Sequence, residues 1–151
     1  MADKITVSLI KADVGSIAGH SRPHPRMMQV AGETLAKAVL DGLLVDYYVT
    51  RCGDDMQLLM THRNGENHKE VHKTAWTAFM AAAQEARKMH LYAAGQDLLS
   101  DAFSGNVRGQ GPGAAEMEFV ERPTEPMLVF MADKCGPSAY SLPISRIYMD
   151  P

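Results

Sequence analysis

The chain has 151 residues, 46% of them hydrophobic, with 15 basic and 18 acidic side chains and a formal net charge of -3. This length and composition allow one globular domain with a substantial core and make two domains unexpected. The small negative charge argues against a nucleic-acid-binding protein, which usually presents a basic surface, so an anionic ligand would have to be held locally.

The amino-terminal segment alternates polar and apolar side chains, with Ile5, Val7 and Leu9 spaced two apart. This period predicts a half-buried strand over residues 4–12, with Asp13 directly at its end. The segment has no long apolar run of the kind that a signal peptide or a membrane span requires. We therefore expect a cytoplasmic protein that does not associate with membranes, and the small number of cysteines, two, fits a reducing compartment.

A helix and a pair of strands are predicted next. Pro25 suits a first helical turn and Gly42 suits a stop. The apolar stripe between them comprises Met28, Ala31, Leu35, Ala38 and Val39. Residues 43–50 and 56–61 are predicted strands, and they should be antiparallel because only a short corner, Gly53-Asp54-Asp55, separates them.

A second helix follows the turn at residues 64–67. Asn67 with Glu70 three residues later resembles a capping box, and the helix should run to about Met89. Its predicted buried stripe comprises Val71, Ala75, Ala78, Phe79, Ala82 and Ala86. After a glycine-rich stretch at 93–113, the pattern predicts strands at 115–121, 126–132 and 144–148.

Carboxylates follow several of these predicted strands, and strand ends can converge at one edge of a sheet. The four that share this placement are Asp13, Asp54, Asp55 and Asp133. Such oxygen-rich sets suit a hard divalent cation such as Mg²⁺, which keeps waters and takes substrate phosphates as further ligands. His20 and Gln96 could complete the set of ligands, although an imidazole ligand would also be compatible with Mn²⁺ or Zn²⁺. For any single aspartate, a solvated turn is the simpler interpretation.

The segment SGNVRGQGPG at residues 104–113 has four glycines, which would allow backbone N–H groups to approach a phosphate closely. It matches neither a P-loop nor a dinucleotide-binding motif. Arg108 and Lys134 could add positive charge to such a site. By itself, the segment is more typical of a surface loop.

Two histidines, His68 and His72, lie four residues apart on the second predicted helix and suggest a zinc site as an alternative. The glutamate of the segment HKEVH stands at neither position that the known zinc-protease motifs require. Solvent-facing histidines in a first helical turn are the simpler interpretation.

Four segments carry a resemblance to a known family: SLIKADVGSIAGH, VDYYVTRCGDDMQLLMTH, LYAAGQDLLSDAFSGNVRGQGPGAAEMEF and FMADKCGPSAYSLP. They closely resemble the bifunctional fructose-1,6-bisphosphate aldolase/phosphatase family of archaea and deeply branching thermophilic bacteria, over essentially the whole chain. The resemblance implies an α+β fold, a layered α/β sandwich with a largely antiparallel sheet. Residues 1–151 would be a single domain, the amino-terminal portion of a longer catalytic domain that is incomplete at its carboxy end.

The resemblance also implies a function, because members of the family make fructose 6-phosphate in gluconeogenesis. They condense dihydroxyacetone phosphate with glyceraldehyde 3-phosphate to fructose 1,6-bisphosphate and then remove the 1-phosphate, in one Mg²⁺-dependent site. The implied metal ligands are Asp13, His20, Asp54, Asp55, Gln96 and Asp133, with Asp13 also accepting a proton from the hydrolytic water. The implied sugar-phosphate contacts are His20, Tyr92, Gly105, Asn106 and Lys134. The family assembles as octamers, so a homo-oligomer is expected.

One departure from the family bears on activity. Its members are more than twice this length, and their carboxy-terminal half carries the Schiff-base lysine of the aldolase step, a tyrosine that assists it and further metal ligands. None of these can be matched here, and Schiff-base condensation needs an amine at the carbonyl. The alternative is therefore a fragment that binds metal and phosphate without turnover until the missing half is supplied.

Overall fold

A computed structural model describes residues 4–18, 21–91, 112–122, 126–129 and 131 of the chain. The elements in chain order are β1 (Lys4–Ala12), α1 (Pro25–Leu40), β2 (Asp46–Cys52), β3 (Asp55–His62), α2 (Lys69–Lys88) and β4 (Gly113–Val120). None of the helices in these ranges combines the length and the apolar character needed to cross a bilayer.

The strands form one antiparallel sheet in the order β2-β3-β1-β4. The register places Ile10 of β1 opposite Leu58 of β3 on one side and Ala114 of β4 on the other. Hairpin pairing of β2 with β3 follows from the two-residue connection, as the sequence predicts. The α+β class is confirmed, with two helices and an antiparallel sheet.

Both helices cover the same face of the sheet, which we call the helix face. The core between them consists of apolar side chains from α1, α2 and two central strands, chiefly Met27, Ala31, Leu35, Ile10, Met56, Leu58, Met60, Val71, Ala75, Phe79 and Ala82. All six residues of the predicted α2 stripe are buried. In α1, Ala31, Leu35 and Ala38 are buried as predicted, whereas Met28 and Val39 are half-buried and Met27 takes the inner position.

The opposite side, which we call the second face, is also apolar. It carries Ile5 and Val7, which are buried, and it borders a groove of about 520 Å³ beside Met117 and Leu128. Strand β1 is thus buried on both faces, whereas its alternating pattern predicted a half-buried strand. The reason is that the polar residues buried on the helix face, Thr6 and Ser8, are small, and Ser8 is hydrogen-bonded to His62.

Three sequence predictions differ from the structure or lie outside it. β2 begins at Asp46, three residues later than predicted, because the chain first turns back onto α1. In this turn the N–H groups of Leu43 and Leu44 donate to the Ala38 carbonyl at 2.9 and 3.1 Å, respectively. The turn uses a left-handed Gly42, φ 74°. Residues 126–129 form no strand, and the predicted strand at 144–148 lies outside the described residues.

The predicted capping box at the start of α2 is also wrong. The N-cap residue is His68, and Asn67 adopts a left-handed conformation with φ 60°. The Asn67 N–H instead donates to Glu116 Oε2 of β4 at 2.6 Å. Local sequence could not reveal this bond, because the two residues are far apart in the chain.

Glu116 is the centre of a buried polar network at this end of the sheet. Its Oε1 accepts a hydrogen bond from Ser8 Oγ and lies 2.9 Å from His72 Nε2, while Ser8 Oγ also lies 2.8 Å from His62 Nε2. Burial by itself raises the pKa of Glu116, but the bonds from Ser8, the Asn67 N–H and His72 outweigh it and hold that pKa below its usual value. Burial lowers the pKa of His62, and the nearby His68 and His72 lower it further, against the opposing effect of Glu116.

This network predicts a loss of stability in mild acid. Below about pH 6.5 the unfolded chain takes up a proton on His62 that the folded chain resists, so the free energy of unfolding falls as the pH falls. Glu116 adds a second loss below about pH 4.5, because its folded pKa is the lower one. Urea titrations between pH 7.5 and 5 would measure the first effect, and His62→Gln should flatten the slope. An unchanged slope in that variant would contradict the assignment.

Candidate metal and phosphate site

The β2–β3 corner buries two adjacent carboxylates. Cys52 pairs with Asp55 across the hairpin, so Gly53 and Asp54 form the turn, and Gly53 adopts the left-handed conformation that it requires, φ 60°. Asp54 is 1% exposed and Asp55 is 6% exposed. A solvated turn would leave these side chains in water, so the simpler interpretation of this aspartate pair does not hold. Two neighbouring buried carboxylates are costly unless positive charge or hydrogen bonds compensate them.

Asp13 lies at the same end of the sheet. It follows β1 directly, and its neighbour Ala12 pairs with Met56, the residue after Asp55. Its Oδ1 accepts a hydrogen bond from the Gly15 N–H at 3.2 Å, which fixes the side chain in a tight turn. The antiparallel register therefore brings together the ends of β1 and the β2–β3 hairpin, as the strand pattern predicted. We call Asp13, Asp54 and Asp55 the acidic corner.

Lys11 is a charged residue of this corner that the sequence analysis did not single out. Its Nζ donates to Asp55 Oδ2, and the ion pair is partly buried. A Cβ on Gly113 would lie only 3.3 Å from Lys11 Cγ, so the glycine gives room for the lysine stem across β4. The only sequence signal was a lysine at a position where the two-residue period of Ile5, Val7 and Leu9 predicts an apolar side chain.

Two further polar side chains near the acidic corner are completely buried, namely Ser16, three residues after Asp13, and Gln57, two residues after Asp55. Among the described residues, neither the Ser16 hydroxyl nor the Gln57 amide has a hydrogen-bond partner. Buried polar groups without partners are uncommon and each calls for a cause, such as an ion or a ligand. The sequence analysis missed both, although a glutamine within the run MQLLM was a visible anomaly.

The described ranges contain only part of the predicted site. Within them, no three His, Cys, Asp or Glu side chains form a group that could hold a metal ion by themselves. The predicted ligands His20, Gln96 and Asp133 lie outside the described residues, as do the predicted phosphate contacts Tyr92, Gly105, Asn106 and Lys134. Their roles remain predictions from the resemblance.

The donors that are described fit a hard cation. They are the carboxylate oxygens of buried Asp54 and Asp55 and of half-buried Asp13. The hydroxyl of Ser16 and the amide of Gln57, which have no partner among the described residues, are close by in sequence. Cys52, at the end of β2, is half-buried and directs its thiol to the Met131 carbonyl at 3.6 Å.

Among the described residues, His68 and His72 of the alternative zinc site belong to no group of three side chains that could hold a metal ion. His72 Nε2 lies 2.9 Å from Glu116 Oε1, within the buried network of β4. His68 is the N-cap residue of α2, and its Nδ1 is buried. This end of the sheet is opposite to the acidic corner, because Thr6 of β1 pairs there with His62.

Comparisons with known proteins cover nearly the whole chain. A family model described as fructose-1,6-bisphosphatase matches residues 4–151. A relative in Methanothermobacter marburgensis is 57% identical over 98% of this chain and 40% of its own length. Relatives in Ignicoccus hospitalis, 57% identical, and Moorella thermoacetica, 52% identical, are matched over 100% of this chain and 39% of their own length. All three are named fructose-1,6-bisphosphate aldolase/phosphatase, and the chain spans about two fifths of their length.

Proposed function

This chain belongs to the fructose-1,6-bisphosphatase family, and we propose that it supplies the acidic corner of a Mg²⁺-dependent enzyme that removes the 1-phosphate from fructose 1,6-bisphosphate. Its relatives are named aldolase/phosphatase, which supports a second reaction, the condensation of dihydroxyacetone phosphate with glyceraldehyde 3-phosphate. The product, fructose 6-phosphate, would serve gluconeogenesis. The observation that carries the proposal is a pair of adjacent, buried aspartates within a family match of nearly the whole chain.

The proposed metal site consists of the acidic corner together with His20, Gln96 and Asp133. Mg²⁺ is the expected ion, in several copies, with Mn²⁺ as a substitute. When bound, such ions would lower the pKa of water and stabilise charge on the phosphoryl oxygens. Adjacent Asp54 and Asp55 suit this role, because the repulsion between them is offset by positive charge.

The residues of the chain have separate tasks in the proposed hydrolysis. Asp13, held by the Gly15 N–H, would accept a proton from the attacking water. Lys11 fixes the orientation of the Asp55 carboxylate through their ion pair. Burial of Asp54 and Asp55 excludes bulk water from these two carboxylates, which strengthens their interactions with positive charge.

The sugar phosphate would be held by residues that the resemblance identifies. The proposed contacts are His20, Tyr92, Gly105, Asn106 and Lys134. In this set, lysine supplies a point charge to a phosphate and the glycine allows the backbone to approach it closely. We propose a homo-oligomer, an octamer as in the family, and a cytoplasmic location.

A second candidate function is metal and phosphate binding without turnover. The observation that favours it is the coverage of about two fifths of the relatives' length, because groups needed for chemistry could belong to the remainder. On this alternative, the chain becomes active only when the remaining part of the protein is supplied.

The test is phosphate release from fructose 1,6-bisphosphate by the purified chain, with and without Mg²⁺. Release that depends on Mg²⁺ is the expected result for the first proposal. If a folded chain binds Mn²⁺ but releases no phosphate, the second candidate is favoured. A folded chain that neither releases phosphate nor binds Mn²⁺ would contradict both.

A further inference from the structure

Gln57 occupies an unusual position on the second face of the sheet. It pairs with Lys11 of β1 on one side and with Thr50 of β2 on the other. It lies two residues after Asp55 on β3, so both side chains leave the strand on the same face. Lys11, its cross-strand neighbour, is bonded to Asp55. The amide of Gln57 therefore belongs to the same polar row as the acidic corner.

This amide is buried without hydrogen bonds. Gln57 is 0% exposed, and among the described residues neither Nε2 nor Oε1 has a partner. A buried amide that makes neither bond destabilises the folded chain relative to an apolar side chain of similar shape. The stability of the ligand-free chain therefore does not explain why a glutamine occupies this buried position.

We infer that Gln57 contacts the ligand of the acidic corner, through an O–H group that accepts a hydrogen bond from Nε2 and donates one to Oε1. An amide offers both a donor and an acceptor, and an O–H group matches both, whereas a phosphoryl oxygen would satisfy Nε2 alone. The O–H group could be a sugar hydroxyl or a water held by the cation at Asp55. This inference rests on the proposed function, which supplies the ligand.

The experiment replaces the amide with an apolar side chain of similar size, Gln57→Leu. The melting temperature of the ligand-free variant should rise, because an unpaired buried amide is removed. Two probes are titrated by calorimetry: Mn²⁺ alone, and fructose 6-phosphate at saturating Mg²⁺. The affinity of the variant for one of these probes should fall by about tenfold, which is the effect of losing one hydrogen-bonding group. Loss of Mn²⁺ affinity identifies the water, and loss of fructose 6-phosphate affinity alone identifies the hydroxyl.

Thr6→Val is the matched control. Thr6 Oγ1 is also buried without a partner among the described residues, but it lies on the helix face at the far end of β1, opposite His62. This variant should also raise the melting temperature, and it should leave both affinities unchanged. The pair of variants thus separates a gain in stability from a loss of binding.

Two results would overturn the inference without affecting the proposed function. One is unchanged affinity of Gln57→Leu for both probes, and the other is a lower melting temperature, which would mean that the amide is paired within the chain. Phosphate release by the unmodified chain would stand in either case. If the unmodified chain binds neither probe, the inference fails together with the proposed function.

Discussion

Asp54→Asn is expected to lower Mg²⁺-dependent phosphate release from fructose 1,6-bisphosphate by more than about hundredfold. Loss of a residue that only hydrogen-bonds to a metal ligand lowers activity by up to about hundredfold, and loss of a ligand itself should lower it further. Asp54 is 1% exposed at the corner between β2 and β3. On the proposed function its carboxylate would help to hold the cations, and an amide cannot supply that negative charge. Phosphate release at saturating Mg²⁺ and the dependence of the rate on Mg²⁺ concentration are the measurements.

The fold should survive this change. The substitution keeps the size of the side chain and removes one of two adjacent buried charges, so circular dichroism should still report a cooperative thermal transition. Asp46→Asn is the matched control, since Asp46 begins β2 as an exposed residue whose Oδ1 accepts a bond from the Tyr47 N–H at 2.8 Å. That variant should keep normal release. Near-normal release by folded Asp54→Asn would refute its assignment as a ligand.

Phe79→Ala is expected to lower the free energy of unfolding by about 3–5 kcal/mol, the usual range for removing a buried aromatic ring. Phe79 is completely buried in α2, within the core that joins both helices to the sheet. The cavity would lie beneath the packed helices, where rigid strands limit collapse of the surroundings. Urea titration at pH 7.5 measures the loss.

A milder substitution keeps this prediction testable if the alanine variant does not fold. Phe79→Leu preserves most of the volume and should cost roughly 1.5 kcal/mol or less. The control is Tyr48→Ala, an aromatic residue of β2 that is 64% exposed, with an expected change within about 1 kcal/mol. Equal losses at Phe79 and Tyr48 would contradict the described core.

The sequence by itself determined the elements that depend on local patterning. Pro25, the apolar period and Gly42 predicted α1, and the six apolar positions of α2 are buried as expected. These signals are readable because helix and strand periods follow from backbone geometry. The resemblance of the four quoted segments likewise identified the family from residues alone, and the match over residues 4–151 confirms it.

Tertiary structure decided what depends on residues distant in the chain. The start of α2 follows Glu116 of β4 rather than a local capping box, because a buried carboxylate competes for the Asn67 N–H. Lys11 meets Asp55 only because β1 pairs with β3 in one register, which sets the lysine beside the aspartate on the second face. A sequence shows which side chains alternate along a strand, but the partner strand and its register decide which of them meet.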